Sequence, residues 1–129
     1  MEYFVTKEQA KELKKLNFCE KVNHFYSSKE DVNDIRFSPN YFNFNDGKNL
    51  ISAPTLAQVQ DWFMNIKDIK IIPGYVKNNF YTCKMFWIDS QGFEQFTNCE
   101  EKPYVCNLES YDNALSVGID CAIKLLTEY

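Results

Sequence analysis

Arginine, histidine and glycine are all scarce in this chain. Arg36 is the single arginine, His24 is the single histidine, and the net charge is −4. The planar guanidinium group of arginine donates two hydrogen bonds to phosphate or guanine. Because arginine is nearly absent, nucleic acid is not expected as a partner. The four glycines are too dispersed for a phosphate-binding loop or a dinucleotide fingerprint; they are Gly47, Gly74, Gly92 and Gly118.

Long apolar runs and paired cysteines are also missing. The longest apolar stretches, such as "MFWI", are far shorter than the roughly 20 residues of a membrane span, and the N-terminal segment lacks the pattern of a secretion signal. We therefore expect no membrane partner and an intracellular, cytoplasmic protein. The cytoplasm of a host cell is one compartment that fits this expectation. The odd set of cysteines contains no CxxC pair, which argues against a disulfide framework and a zinc site; they are Cys19, Cys83, Cys99, Cys106 and Cys121.

Catalytic groups are sparse. His24 lies in a strand-like segment, and no serine or cysteine lies in a nucleophile motif, so a catalytic triad is not predicted. The remaining candidates are carboxylates near a predicted hairpin, whose separation the sequence does not fix; they are Asp89, Glu94, Glu100 and Glu101. We predict a non-enzymatic protein with no catalytic residue, cofactor or metal site, and keep a carboxylate-based enzyme as an alternative.

Length and patterning predict one domain over residues 1–129. The chain has 129 residues, of which 45% are hydrophobic and 16% aromatic, the composition of an ordinary globular protein. Strand runs joined by short turns predict an α+β fold in the order α-β-β-α-β-β-β-α. We expect a mostly antiparallel sheet of four to five strands packed with three helices.

The first half of the chain contains one clear helix signal. Thr6 can cap a helix, Gln9 completes a capping box, and Asn17 can end it. A strand is predicted from Lys21 to Tyr26, then a polar loop, "SSKEDVNDIRFSPN", and a short strand in "YFNFN" before the turn "DGKN".

The second half contains the strongest strand pattern. "IKII" predicts a strand that stops at Pro73-Gly74, and "YVKN" leads to a turn at Asn78-Asn79. "FYTCKMFWI" has apolar residues on both faces, which predicts a central strand covered on both sides, and "FEQFTN" returns as a hairpin. A short edge strand is expected near Tyr104–Cys106, and a last helix from Tyr111, capped by Ser110.

"SAPTLAQVQDWF" predicts the start of the middle helix. Thr55 can act as its cap with Gln58 completing the box, and Pro54 prevents the helix from extending backwards. The apolar stripe places Trp62 and Phe63 in the core; it consists of Leu56, Val59, Trp62 or Phe63, and Ile66. The opposite face carries Gln60 and Asn65, which are candidates for contact with a partner.

This segment has Ala-Pro-Thr, then a helical turn that contains Gln and Val, then Trp-Phe. It resembles a helix in small uncharacterised proteins of Bacteroidetes gut bacteria and their bacteriophages. In those proteins a similar helix precedes a strand pair and a C-terminal "Y-x-x-A" helix. The segment "YDNALSVGIDCAIKLL" is similar to that C-terminal helix, and "TKEQAKELKKLNF" is similar to the N-terminal segment of the family. The family often carries basic residues after Trp-Phe, where this chain has Met64-Asn65. The resemblance implies a source and a fold but no chemistry.

Two further features suggest contact surfaces. Ala114, Gly118 and Ala122 form a small-residue ridge on the last helix, which either packs on its own sheet or mediates a homodimer. The aromatic excess implies exposed tyrosines, with Tyr41 and Tyr81 as candidates for an interface. The leading hypothesis is an accessory protein of a phage or mobile element that binds another protein. The alternative is a binder of a small nucleotide-type ligand in an aromatic-lined pocket.

Overall fold

A computed structural model describes residues 3–77, 80–99 and 110–128. The chain divides into two compact units, Met1–Thr55 and Leu56–Tyr129. Three helices and two antiparallel sheets of three strands confirm the predicted α+β class and the predicted succession of elements. The structure adds a three-residue strand before the middle helix, and it distributes the strands over two sheets.

Unit 1 has one helix and one sheet. Its elements are α1 (Lys7–Lys15), β1 (Val22–Ser27), β2 (Arg36–Phe42), a 3-10 turn (Phe44–Asp46) and β3 (Leu50–Ser52), and the strand order is β2-β1-β3. The predicted capping box is present, because Thr6 Oγ1 accepts from the Gln9 N–H while Gln9 Oε1 accepts from the Thr6 N–H. Asn17 has φ 66°, a left-handed conformation typical of helix ends, which confirms the predicted stop.

Two lysines of α1 hold the connecting loops of unit 1. Lys7 is buried, and its Nζ donates to the carbonyls of Lys29 and Val32. One heptad later on the helix, Lys14 Nζ donates to the carbonyls of Gly47, at 2.7 Å, and Leu50, at 3.0 Å. Hydrogen bonds from a charged donor are stronger than neutral ones, so these lysines fix loops that have little apolar surface of their own.

Unit 2 contains α2 (Leu56–Lys67), β4 (Ile69–Lys77), β5 (Phe80–Ile88), β6 (Glu94–Asn98) and α3 (Tyr111–Glu128). The strand order is β4-β5-β6, which confirms β5 as the central strand. Helix α3 packs against β4 and β5, and α2 contacts β4 and α3. Ser110 Oγ accepts from the Asn113 N–H, as expected of the predicted cap of α3. The buried side chains from the sheet are Ile69, Ile71, Cys83 and Met85.

Several local predictions were wrong. β2 begins at Arg36, within the last part of the segment predicted as a loop, and includes Pro39, and β4 continues through Pro73-Gly74 to Lys77. Both are edge strands, where a residue without an N–H is tolerated because one side of the strand needs no donor. Ile66 of the predicted apolar stripe is exposed, whereas Trp62 and Phe63 are buried as predicted. The turn at Asn78-Asn79 and the strand near Tyr104–Cys106 lie outside the described residues.

Candidate functional site

The face of the β4-β5-β6 sheet opposite α3 is rich in exposed apolar side chains. The register places Lys70, Phe86 and Phe96 in one row across the three strands. Neighbouring rows contribute Ile72 with Lys84, and Ile88 with Glu94. We call this set, from Lys70 and Ile72 through Lys84, Phe86 and Ile88 to Glu94 and Phe96, the open sheet face. The prediction that β5 is covered on both sides was therefore wrong: α3 covers the face that carries Cys83 and Met85, whereas Lys84 and Ile88 on the other face are exposed.

Two stacked phenylalanines form the centre of the open sheet face. The ring centroids of Phe86 and Phe96 are 5.7 Å apart, with 22° between the ring planes. Phe96 is 59% exposed and Ile88 is 53% exposed, although burying such a side chain contributes about 2 kcal/mol. Isolated exposed apolar residues are common, but a contiguous group of this kind on one face is typical of an interaction surface.

Charged residues surround this apolar centre. Lys70 on β4 and Lys84 on β5 are exposed, and Glu94 on β6 is exposed as well. A hollow of about 340 Å³ lies at the end of the face nearest the α2–β4 connection, and it is lined by Met64, Asp68, Lys70, Phe86, Trp87, Ile88 and Glu94. Met64 is 42% exposed; methionine is flexible and adapts its shape to a partner surface.

The β5–β6 turn is held by one carboxylate. Asp89 Oδ1 accepts from the backbone N–H groups of Phe93, at 2.9 Å, and Gln91, at 3.0 Å, while Oδ2 accepts from the Gln95 side-chain amide at 3.0 Å. The Phe93 N–H, with smaller contributions from Gln91, Gln95 and Gly92, lowers the pKa of Asp89 below its ordinary value. Asp89 thus has a structural role that the sequence did not reveal.

A groove of about 800 Å³ lies on the opposite side of the sheet, beside the C-terminal half of α3. Its apolar lining consists of Ile69, Met85, Trp87, Ile88, Cys121, Leu125 and Leu126. The charged residues around it are Lys67, Asp89, Lys124 and Glu128. We call this feature the α3 groove; its volume falls within the range of sites for small molecules.

Three tyrosines cluster where α3 begins. The Tyr81 ring lies 5.6 Å from that of Tyr75 and 6.5 Å from that of Tyr111, both in edge-on arrangements. Tyr75 and Tyr111 are exposed and Tyr81 is half-buried, which confirms the expectation that some tyrosines are exposed. Edge-on ring pairs of this kind stabilise each other by about 1 kcal/mol, so this cluster also has a structural role.

Comparisons of the chain with protein-family models, with curated proteins and with solved structures gave no match. The family resemblance of the sequence analysis stays a prediction. The surfaces of the two units are therefore the basis for a hypothesis of function.

The small-residue ridge of α3 contacts its own sheet. Ala114, Gly118 and Ala122 are buried, and a Cβ built on Gly118 would overlap with Cys83 Sγ and Ile71 Cγ2. This is the intramolecular packing that the sequence analysis weighed against a dimer contact. The ridge offers no accessible surface, and any self-association has to use other residues.

The other predicted interface residues are Tyr41, Tyr81, Gln60 and Asn65. Tyr41 is exposed on the edge strand β2 of unit 1, and Tyr81 belongs to the tyrosine cluster. Gln60 does not point outward, because its Nε2 donates to the Ile71 carbonyl of β4 at 2.7 Å. Asn65 is exposed near the end of α2. None of these four residues belongs to the open sheet face.

Two of the four carboxylate candidates lie within the described residues. Glu94 lies on the open sheet face and Asp89 in the turn, while Glu100 and Glu101 lie outside the described residues. His24 is half-buried, with its ring 4.3 Å from that of Phe4 and 5.2 Å from that of Phe37. Within residues 3–77, 80–99 and 110–128, no group of three metal-binding side chains occurs and no helix is long and apolar enough to cross a membrane. Cys19 has a free thiol and is exposed.

Phe86 and Phe96 are the functional candidates that the sequence analysis missed. The sequences "FYTCKMFWI" and "FEQFTN" show that side chains alternate between the two faces of each strand. Phe86 and Phe96 therefore occupy the face opposite Met85 and Thr97. The apolar character of this face was interpreted as a sign of a second covering layer. The same pattern also fits an open face that is covered only on binding.

Proposed function

We propose that the protein acts by binding another protein through the open sheet face, and that a second copy of the chain is a partner that this face fits. The observation that carries the proposal is the stacked pair of half-buried Phe86 and exposed Phe96 at the centre of the face. Buried aromatic clusters with a polar rim supply most of the energy of protein interfaces. The accessory role in a phage or mobile element rests on the family resemblance and stays part of the proposal.

The distribution of charge favours a second copy as the occupant. Lys70 lies on one edge strand of the sheet and Glu94 on the other. If two faces stack about a two-fold axis parallel to the strands, β4 of one copy lies opposite β6 of the other. This arrangement places Lys70 of each copy near Glu94 of its partner, with the phenylalanines between them, as a self-complementary interface requires.

Self-association can be tested by sedimentation equilibrium over a range of protein concentrations. We expect the wild-type chain to dimerise and Phe96→Ser to weaken the dimer by about tenfold or more, since loss of a central aromatic residue costs about 2 kcal/mol. Tyr41→Ser is the matched control, because Tyr41 is equally exposed on a strand but lies in unit 1. A wild-type chain that stays monomeric at all concentrations would overturn the second copy as partner.

A charge exchange tests the orientation of the two copies. Lys70→Glu and Glu94→Lys should each weaken the dimer by a few-fold, because each places like charges opposite each other at the rim. The double variant should restore the wild-type affinity, since the opposite charges then meet again. A double variant as weak as the sum of the two single variants would argue against this arrangement.

A further inference from the structure

The α3 groove is an amphipathic cavity that shares only Ile88 with the open sheet face. Met85 and Trp87 of β5 and Leu125 of α3 line its apolar part. Met85 is buried, whereas Trp87 and Leu125 are half-buried, so part of this apolar lining meets solvent. An elongated apolar molecule lying along α3 would remove these side chains from water.

The charges around the groove are not equivalent. The Asp89 carboxylate keeps its negative charge, but its oxygens already accept hydrogen bonds from Phe93, Gln91 and Gln95 within the β5–β6 turn. Lys124 is exposed, and Lys67 Nζ lies 5.5 Å above the Trp62 ring. Neither lysine forms an ion pair with a carboxylate in the part of the chain that the structure describes. The groove therefore presents two ammonium groups beside an apolar floor, with Glu128 at the end of α3 as the other acidic neighbour.

We infer that the α3 groove binds an amphipathic anion, a carboxylate with an unbranched apolar tail. The tail would lie over Met85, Trp87 and Leu125, and the head group would lie near Lys124 and Lys67. Lysine suits this role because its flexible stem lets the ammonium follow a single charged head without a fixed geometry. The inference is independent of the proposed function, since the groove and the open sheet face are on opposite sides of the same sheet.

The probe for this site is decanoate, used below its micelle concentration. Binding is followed by the NMR signal of the Trp87 indole N–H, assigned by Trp87→Phe. Decanol and decyltrimethylammonium have the same tail with a neutral and a cationic head. We expect saturable binding of decanoate, with affinity about two- to fivefold higher than that of decanol, the range that exposed ion pairs support, and the weakest binding for the cation.

Two variants separate the site from non-specific adsorption. Lys124→Gln should remove most of the preference for decanoate over decanol, while Lys84→Gln on the open sheet face should leave that preference unchanged. Leu125→Gln should weaken all three probes, because the tail loses an apolar contact. Phe96→Ser, which tests the open sheet face, should leave decanoate binding as it is.

Three results would overturn the inference. They are the absence of a saturable shift at Trp87, equal affinity for the three head groups, and decanoate binding that is lost in Phe96→Ser but kept in Lys124→Gln. The last result would assign the binding to the open sheet face. Circular dichroism of each variant establishes that it is folded before the titrations are compared.

Discussion

Gly118 of α3 lies directly against Cys83 of β5, with no room for a side chain between them. A Cβ on Gly118 would overlap with the Cys83 sulfur and with a methyl group of Ile71. Cys83 is fully buried at the centre of the sheet. The glycine in this helix is thus explained by the close approach of α3 to its own sheet.

Gly118→Ala should destabilise unit 2. The added methyl group forces the helix away from the sheet, at a cost of about 1–3 kcal/mol for an overpacked core, which exceeds the gain of about 1 kcal/mol in helix propensity. We expect a net loss of about 1 kcal/mol, measured by urea unfolding followed through the tryptophan fluorescence.

Gly74→Ala is the matched control, because a Cβ at Gly74 meets no atom within 4 Å. This variant should be neutral or more stable by up to about 1 kcal/mol, since alanine loses less conformational freedom in a strand. If Gly118→Ala were as stable as Gly74→Ala, the close packing of α3 on Cys83 would be contradicted.

Lys7→Met should loosen the loop that follows β1. The substitution keeps most of the buried stem but leaves the carbonyls of Lys29 and Val32 without their charged donor. Hydrogen bonds from charged groups contribute about 1.5–3 kcal/mol, so we expect a loss of about 2 kcal/mol in the free energy of unfolding of unit 1.

Faster amide exchange in residues 28–35 would locate this effect in the loop. Lys11→Met is the control, because Lys11 forms only a partly exposed pair with Glu8 at 3.5 Å and should change stability by less than about 1 kcal/mol. Equal effects of the two substitutions would show that the Lys7 hydrogen bonds contribute little.

Asp89 should make the β5–β6 turn sensitive to acid. Its pKa is lowered, chiefly by the Phe93 N–H, so the folded turn favours the ionised carboxylate. The resulting stabilisation is complete above the ordinary carboxyl pKa of 3.8 and is lost as the pH falls through the lowered folded value. A carbon-13 NMR titration of the Asp89 carboxyl group should give an apparent pKa below 3.8.

Asp89→Asn provides the second measurement. Amide exchange at Phe93 should be faster in this variant than in the wild type at neutral pH, and the difference should shrink as the wild-type carboxylate is protonated. Asp61→Asn, an exposed change on α2, should leave exchange at Phe93 unaltered. A difference that stays constant with pH would contradict the role of the ionised carboxylate.

Local signals in the sequence predicted much of the fold. Thr6 and Gln9 were recognised as a capping box, and Trp62 and Phe63 as core residues, because capping and helical periodicity depend on neighbours within one or two turns. Pro39 was assigned to a loop and Pro73 to the end of a strand, and both assignments were wrong. Whether a strand tolerates proline depends on its position in the sheet, and the order of strands is not a local property.

The surfaces were harder to predict than the elements. Gln60 was assigned to a polar outer face, but it donates to a carbonyl of β4, a partner eleven residues away in sequence. Ala114, Gly118 and Ala122 fitted both a homodimer contact and an internal one. Only the arrangement of α3 on β4 and β5 decided that the ridge is internal.

The sequence by itself determined the α+β class, the capped starts of α1 and α3, and the central position of "FYTCKMFWI" in its sheet. It also identified Trp62 and Phe63 as core residues. These properties follow from periodicity and capping, which act over a few residues. The tertiary structure decided which apolar faces are covered. Phe86 and Phe96 have the same alternating pattern as the buried face of their sheet, yet they meet solvent because α3 packs on one side and leaves the other open.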